Sequence, residues 1–488
     1  MTRSLFGGLA VALSLTAAPS LVAQGTGRRA APAAPIDRSV IPPPTAAPAF
    51  TVPHYTVDTL SNGARLVVVP RHALPIVTVS IHFAAGTNAL GASQATGSFL
   101  SSMTREGTTT RSADQLANDL AMLGTSIGIA VGTEGGTAIF STLVRNVDSA
   151  TDLMMDMMLH STYPAAALER LRGQALSSYE RAQDNVVTVA GEVGPGLVYG
   201  DQPYGHVVNA DDLKGVSRDD VAHLAAEVFV PVNATVYVVG DMTRAQARAA
   251  MERAFKGWSN QGPRVAFQYP AAPALPATTV YLVDMANKPQ SYLYLARAVA
   301  PAFGPDMAQI DMANYVLGGA LQSRLSANIR EAHGYSYGFS SRINWVKGPG
   351  PFVAAGSVTR EKTDSAVIEA MKEIRGMTGT RPVTPAELRA AKNALTLSLP
   401  VRLESTAGVL SVVSRVVDED LPVNWWSEYI AKVNATSAAD IANTARQYLD
   451  PDHLVILVVG DGAKVLAPLK AAGVGPVVQL DKAGHRVP

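Results

Sequence analysis

Apolar and polar positions follow two periods along this chain, and the switch between them marks its elements. Residues 64–71 (ARLVVVPR) form a short apolar run, and 76–84 set Val77, Val79, Ile81 and Phe83 against Thr78, Ser80 and His82. A period of two predicts strands, the second with one face covered and the other less so. Apolar residues then recur at helical spacing over 95–104, 112–123, 147–160 and 164–183, which predicts four helices. The run VYVVGD at 236–241 reads as a buried closing strand.

That closing strand occurs twice. ILVVGD at 456–461 repeats it, and upstream of each copy lies the same helix start at the same offset. Ser217 and Asp220 before Val221 match Ser437 and Asp440 before Ile441, a serine N-cap answered by an acid at the third helical position. Asp148-Ser149-Ala150 pairs with Asp364-Ser365-Ala366, Pro164 and Leu168 with Pro385 and Leu388, and Ala175-Leu176 with Ala394-Leu395. The chain therefore reads as a duplication, with domains at 54–262 and 279–470, a Pro- and Ala-rich linker at 263–278 and a tail at 471–488. Strands mixed with runs of helices predict an α+β fold: two tandem homologous domains, each a mainly antiparallel sheet with helices packed on one face.

The N-terminus changes the expected location. Arg3, an apolar run over 5–18 and small residues at Ala17, Ala18, Ser20 and Ala23 have the layout of a secretory signal peptide over 1–23. An Ala- and Pro-rich stretch at 24–53 reads as a flexible tether, because it has too little apolar surface to offset its ordering entropy. An exported, periplasmic protein is the expectation. No later apolar run is long enough to span a bilayer. With 40 Lys and Arg against 40 Asp and Glu, the charge balance gives no electrostatic case for nucleic acid. The chain has no cysteine, which excludes disulfides and thiolate chemistry. The nine histidines are scattered without the HxxH or HxxxH spacing of a shared helix face. Ser98, Ser101 and Ser102 cluster on a predicted helix, but no G-x-S-x-G elbow surrounds them.

Three segments carry a family resemblance: LSNGARLVVVPR at 60–71, AAGT at 84–87 and TGSFLSSMTREGT at 96–108. They resemble the insulinase/pitrilysin-type (M16-like) zinc metallopeptidases. In that family the corresponding helix holds zinc with two histidines one turn apart, a glutamate between them activates water, and a distal glutamate completes the ligands. Phe99, Leu100, Met103 and Gly107-Thr108 keep the frame. The histidine positions fall on Ser98 and Ser102, the catalytic glutamate on Ser101 and the distal glutamate on Ser178; Glu180 is the nearby carboxylate. The resemblance thus implies a degenerate motif, with no catalytic residue and no metal bound by this chain.

GGALQSRL at 318–325, followed by NIREAHGYSY at 328–337, resembles a second signature of that family. There an Arg and a Tyr seven residues later contact substrate at the zinc site of a facing half. The matching positions are Arg330 and Tyr337, implied to be substrate-binding; the spacing of Tyr335 fits less well. The plainer alternative pairs Arg330 with Glu331 and lets Tyr337 open a strand. The resemblance implies a non-catalytic subunit that positions unfolded peptide for a zinc-motif-bearing partner subunit, with zinc in the partner. A non-proteolytic peptide-binding or scaffold protein of the same fold is the alternative.

Overall fold

Strands form where the period of two and the apolar runs place them. β1 (Thr56–Thr59), β2 (Arg65–Pro70), β3 (Ile76–Phe83), β4 (Gly128–Val131), β5 (Gly136–Leu143) and β6 (Ala234–Gly240) make one sheet, in the order β1-β2-β6-β3-β5-β4. β7 (Thr279–Asp284), β8 (Gln290–Ala298), β9 (Ser340–Ile343), β10 (Pro351–Thr359), β11 (Val455–Gly460) and β12 (Val477–Leu480) make the other, in the order β12-β7-β11-β8-β10-β9. The two VVGD-ending runs, β6 and β11, occupy equivalent central places. β6 lies parallel to β2 and β11 parallel to β7; most remaining pairs are antiparallel. The fold is α+β and two-domain, with two mixed sheets.

The computed structural model describes residues 50–259 and 262–487. The signal peptide expected at 1–23 and the tether up to residue 49 lie outside the described residues. At the end of that stretch Phe50 and Val52 pack on the second core, Phe50 with its ring 5.9 Å from Trp426. The tail expected from 471 is also part of the fold: β12 pairs in parallel with β7, so the C-terminus supplies the outer strand that β1 supplies in the first sheet.

Helices form at Gln94–Met103, Ala113–Leu123, Val147–Leu159 and Ala165–Ala182, near the expected bounds. The repeated capping boxes are both made. Ser217 and Ser437 each accept the amide of the acid three residues on, and Asp220 and Asp440 each return to the serine amide at 2.8 Å.

The helices of each half cover one face of its own sheet, and the opposite face is covered by a helix from the other half. The helix Val186–Tyr199 of the first half crosses to the second sheet, burying Val189, Ala190 and Val193 against Tyr294, Val353 and Leu457. The helix Thr406–Asp418 of the second half lies on the first sheet, burying Val409, Leu410 and Val413 against Val67, Val69 and Tyr237. The cause is in the central strands: Leu66, Val67, Val68 and Val69 are all buried, so both faces of β2 demand cover. Thr78 and Ser80, expected on a less covered face, are therefore buried, and the Thr78 hydroxyl meets that of Thr406 at 2.8 Å.

Candidate functional site

The degenerate motif lies on the helix Gln94–Met103, which Ser93 caps by accepting the amide of Thr96. Its frame survives for packing reasons, since Phe99, Leu100 and Met103 belong to the first core. The Phe99 ring also lies 5.7 Å from the Arg172 guanidinium. The serines turn inward on the helix itself. Ser98 donates to the carbonyl of Gln94 (3.1 Å), Ser101 to Gly97 (2.7 Å) and Ser102 to Ser98 (3.0 Å). Ser101 also accepts the Val131 amide at 2.9 Å, so the position of the family's catalytic glutamate here ties the helix to edge strand β4.

Ser178, on the helix Ala165–Ala182, is exposed and accepts from Arg181 at 3.1 Å. Glu180 is exposed too. Arg170 on this helix pairs at 2.6 Å with Glu106, which lies in the turn just past the end of the motif helix. Zinc does not fit the positions the family would use. Neutral hydroxyls stand at all of them, and those on the motif helix spend their protons on main-chain carbonyls. Among the described residues no group of three or more His, Cys, Asp or Glu is suited to hold a metal ion. A serine-hydrolase centre fares no better, because no hydrogen bond links these hydroxyls to a histidine among the described residues.

Arg330 and Tyr337 lie in the second half. Arg330 sits within a π-helical turn, Ser326–Ala332, where the His333 amide reaches back five residues to the carbonyl of Asn328 at 3.1 Å. Gly334, at φ +64°, ends the turn in a conformation that only glycine adopts without strain. Arg330 is half-exposed and meets Glu331 at 3.4 Å. Tyr337 is 91 % exposed and does not open a strand; β9 begins at Ser340. Ser336 holds the turn below it, donating to the carbonyl of Ser357 at 2.6 Å and accepting the Gly338 amide at 3.0 Å. Tyr335 points the other way, packing on the second core with its ring 4.9 Å from His333 and 5.7 Å from the Lys362 ammonium.

No hydrogen bond or ion pair joins Arg330 or Tyr337 to the serine positions among the described residues. Sequence reasoning missed the support beneath Arg330. Asn328 donates to Glu369 (2.8 Å) and Glu373 (2.7 Å) on the helix Thr363–Arg375, and Glu373 is in turn bound by Arg381. Burial works to raise the Glu369 carboxyl, but the hydrogen bonds from Asn328 and Lys372 outweigh it and hold the group below its ordinary range. One turn earlier, buried Arg324 grips both Glu387 oxygens, at 2.7 and 2.9 Å, and the carbonyls of Arg381 and Pro382. No spacing rule would have found these partners, since they lie some forty to sixty positions away.

The seam between halves carries a further polar network. His82 meets Asp418 at 2.7 Å, and the same carboxylate accepts from Tyr237, whose phenol is pushed up by burial and by that charge. This network borders a cavity of about 630 Å³ between the two halves.

The sequence signature described as the Peptidase M16 inactive domain matches residues 215–395. The chain is 22% identical over 413 residues to an uncharacterized zinc protease, YmxG, of Bacillus subtilis, covering 83% of this chain and 98% of that one. It is 21% identical to a Helicobacter pylori protein described as a non-peptidase homolog, covering 83% and 94%. In structure it is similar to a peptidase M16 inactive domain from Pseudomonas fluorescens, with a TM-score of 0.77 at 21% identity, covering 83% and 98%. It is also similar to the periplasmic protease PqqL of Escherichia coli, with a TM-score of 0.70 at 16% identity, covering 86% of this chain but 46% of that one. A duplicated sheet-and-helix unit, the frame of the motif helix and the matched stretch agree: the chain has an M16-like two-domain fold and carries a match to the Peptidase M16 inactive domain over residues 215–395.

Proposed function

We propose that this protein is exported and positions unfolded peptide for a zinc-dependent M16 peptidase carried by a partner subunit, having no catalytic centre of its own. The observation that carries this reading is the asymmetry between its two signatures. The metal positions hold hydroxyls committed to their own helix, whereas Arg330 and Tyr337 stand half-exposed and exposed on a tightly held turn. A guanidinium and a phenol so presented can orient a peptide backbone and stabilise charge that builds on a scissile carbonyl. The ion-pair partner Glu331, itself exposed, gives Arg330 a weak surface pair that a substrate can displace. A relative described as a non-peptidase homolog supports the loss of chemistry, and a periplasmic structural neighbour is compatible with export. No helix among the described residues is long and apolar enough to cross a membrane.

The test is an affinity pull-down of the tagged protein from the extracytoplasmic extract of its own cells, with the eluate assayed for peptide cleavage. A co-purifying chain with an H-x-x-E-H helix and chelator-sensitive activity is expected. In that complex Arg330→Ala should lower kcat/KM by about tenfold or more, the loss of at least one hydrogen bond to a charged group, without loss of assembly. Unchanged kcat/KM in a verified complex would remove Arg330 from the reaction. An eluate with neither partner nor activity would leave the peptide-binding scaffold as the function.

A further inference from the structure

A π-helical turn is an uncommon feature, since its hydrogen bonds are longer-range and its backbone less favourable than those of an α-helix. It persists only where the surroundings over-determine it. Here the over-determination comes from the inner face of the segment. Arg324 and Asn328, four residues apart and so on the same face, each bind carboxylates of later helices, Glu387 in one case and Glu369 with Glu373 in the other. Both faces of the contact are sheltered: Arg324 and Glu373 are buried. Both acceptors of Asn328 are carboxylates, which only accept, so its amide nitrogen must face them. Among the described residues its carbonyl oxygen is left buried without a partner. An orphaned acceptor carries a cost that packing alone would avoid by placing an apolar residue there.

Arg330 follows two positions later, so the widened turn decides where its guanidinium emerges. A regular α-helical turn would rotate Arg330 relative to Asn328 by some tens of degrees and carry its guanidinium off its present bearing. We infer that Asn328 is a positioning residue for Arg330: its two hydrogen bonds to Glu369 and Glu373 hold the π-turn that aims the guanidinium. This rests on the reading of Arg330 as a substrate contact. His333 joins the same cluster at 3.9 Å from Glu369, and Lys372 closes on the other side of that carboxylate at 2.9 Å. Glu369 is therefore the hub between Asn328 and the solvent-facing cations, and Glu373, bound by Arg381, is the buried end.

The experiment uses the full chain and fluorescein-labelled casein, an unfolded polypeptide, with binding followed by anisotropy and local order by hydrogen exchange. Asn328→Asp keeps the shape but sets a carboxylate against two others. Asn328→Asp with Glu369→Gln swaps donor and acceptor and restores one bond at unchanged total charge. We expect Asn328→Asp to raise exchange of the amides at 326–332 and weaken casein binding about tenfold, as expected for Arg330→Ala, and the swap, which leaves one carboxylate still facing Glu373, to recover part of both. Because Asn328 acts through Arg330, Asn328→Asp with Arg330→Ala should bind no more weakly than Arg330→Ala alone, which a merely structural role would not give.

Unchanged exchange in Asn328→Asp overturns the inference. So does additive loss in the double variant, or a swap that recovers exchange without recovering binding. If the wild type fails to bind, or Arg330→Ala binds as the wild type does, the reading of Arg330 falls, and the positioning role falls with it. A global loss of fold in Asn328→Asp, seen by circular dichroism, passes the decision to the swap variant, whose recovered or lost binding settles it.

Discussion

At the scale of single residues, the chemistry of this protein lies in what side chains are already bound to. Serines at metal positions close on their own helix, and Ser101 also satisfies an edge-strand amide. That serines stand where the resembled family has histidine and glutamate is legible in the sequence, because a ligand set is a matter of residue type. The partners of Arg324 and Asn328 are not, because they meet only after distant helices pack. Arg324 and Glu387 give the clearest measurable consequence. Burial pushes the Glu387 carboxyl up, but the bidentate Arg324 guanidinium and the Thr384 amide and hydroxyl prevail, lowering it from its ordinary 4.5 to about 2. A group depressed in the folded state stabilises it fully above the unfolded value, and that contribution is lost as pH falls from 4.5 towards 2. Glu387→Gln should therefore lower stability at pH 7 by about 2 kcal/mol while flattening the acid limb of a stability–pH profile over that window. A variant that unfolds with acid as steeply as the wild type would show that other carboxylates carry the transition.

At the scale of elements, the period of two and the helical period placed β2, β3 and four helices within about two residues of their observed ends, as expected for strongly periodic segments. The helix Val186–Tyr199 was not legible. Its sequence VVTVAGEVGPGLVY is apolar nearly all round and contains Pro195 and three glycines, which carries no amphipathic stripe and argues against a helix. Packing against the second sheet overrides that propensity. Gly194 is where the approach is tightest: a Cβ there would lie 2.6 Å from the Tyr294 ring. Gly194→Ala should gain helix propensity yet lose about 2 kcal/mol by overpacking, read as a lower denaturation midpoint. A neutral or stabilised variant would mean that the helix can shift off β8 at no cost.

At the scale of the whole molecule, the two halves are interlocked by exchange. Each sheet has one face covered by its own helices and the other by a helix from the opposite half, so each half closes one core by itself and leaves its second sheet face for the other to cover. Residues 54–262 expressed alone should expose the apolar face of Val67, Val69, Tyr237 and Val239, bind a hydrophobic dye and melt without a cooperative transition. Co-expression with residues 279–487 should restore a single transition; a cooperative fold of the first segment alone would refute the interlock. The sequence by itself determined the duplication with its paired closing strands and capping boxes, the hydroxyl side chains on the motif helix and the presence of the Arg330 and Tyr337 pattern. All of these rest on residue type and local spacing. Only the tertiary structure decided which helix covers which sheet, that the C-terminus closes the second sheet, and that Arg330 rides a π-turn pinned by Asn328. These depend on contacts between residues far apart in the chain, where close packing and the pairing of buried polar groups outweigh local preference.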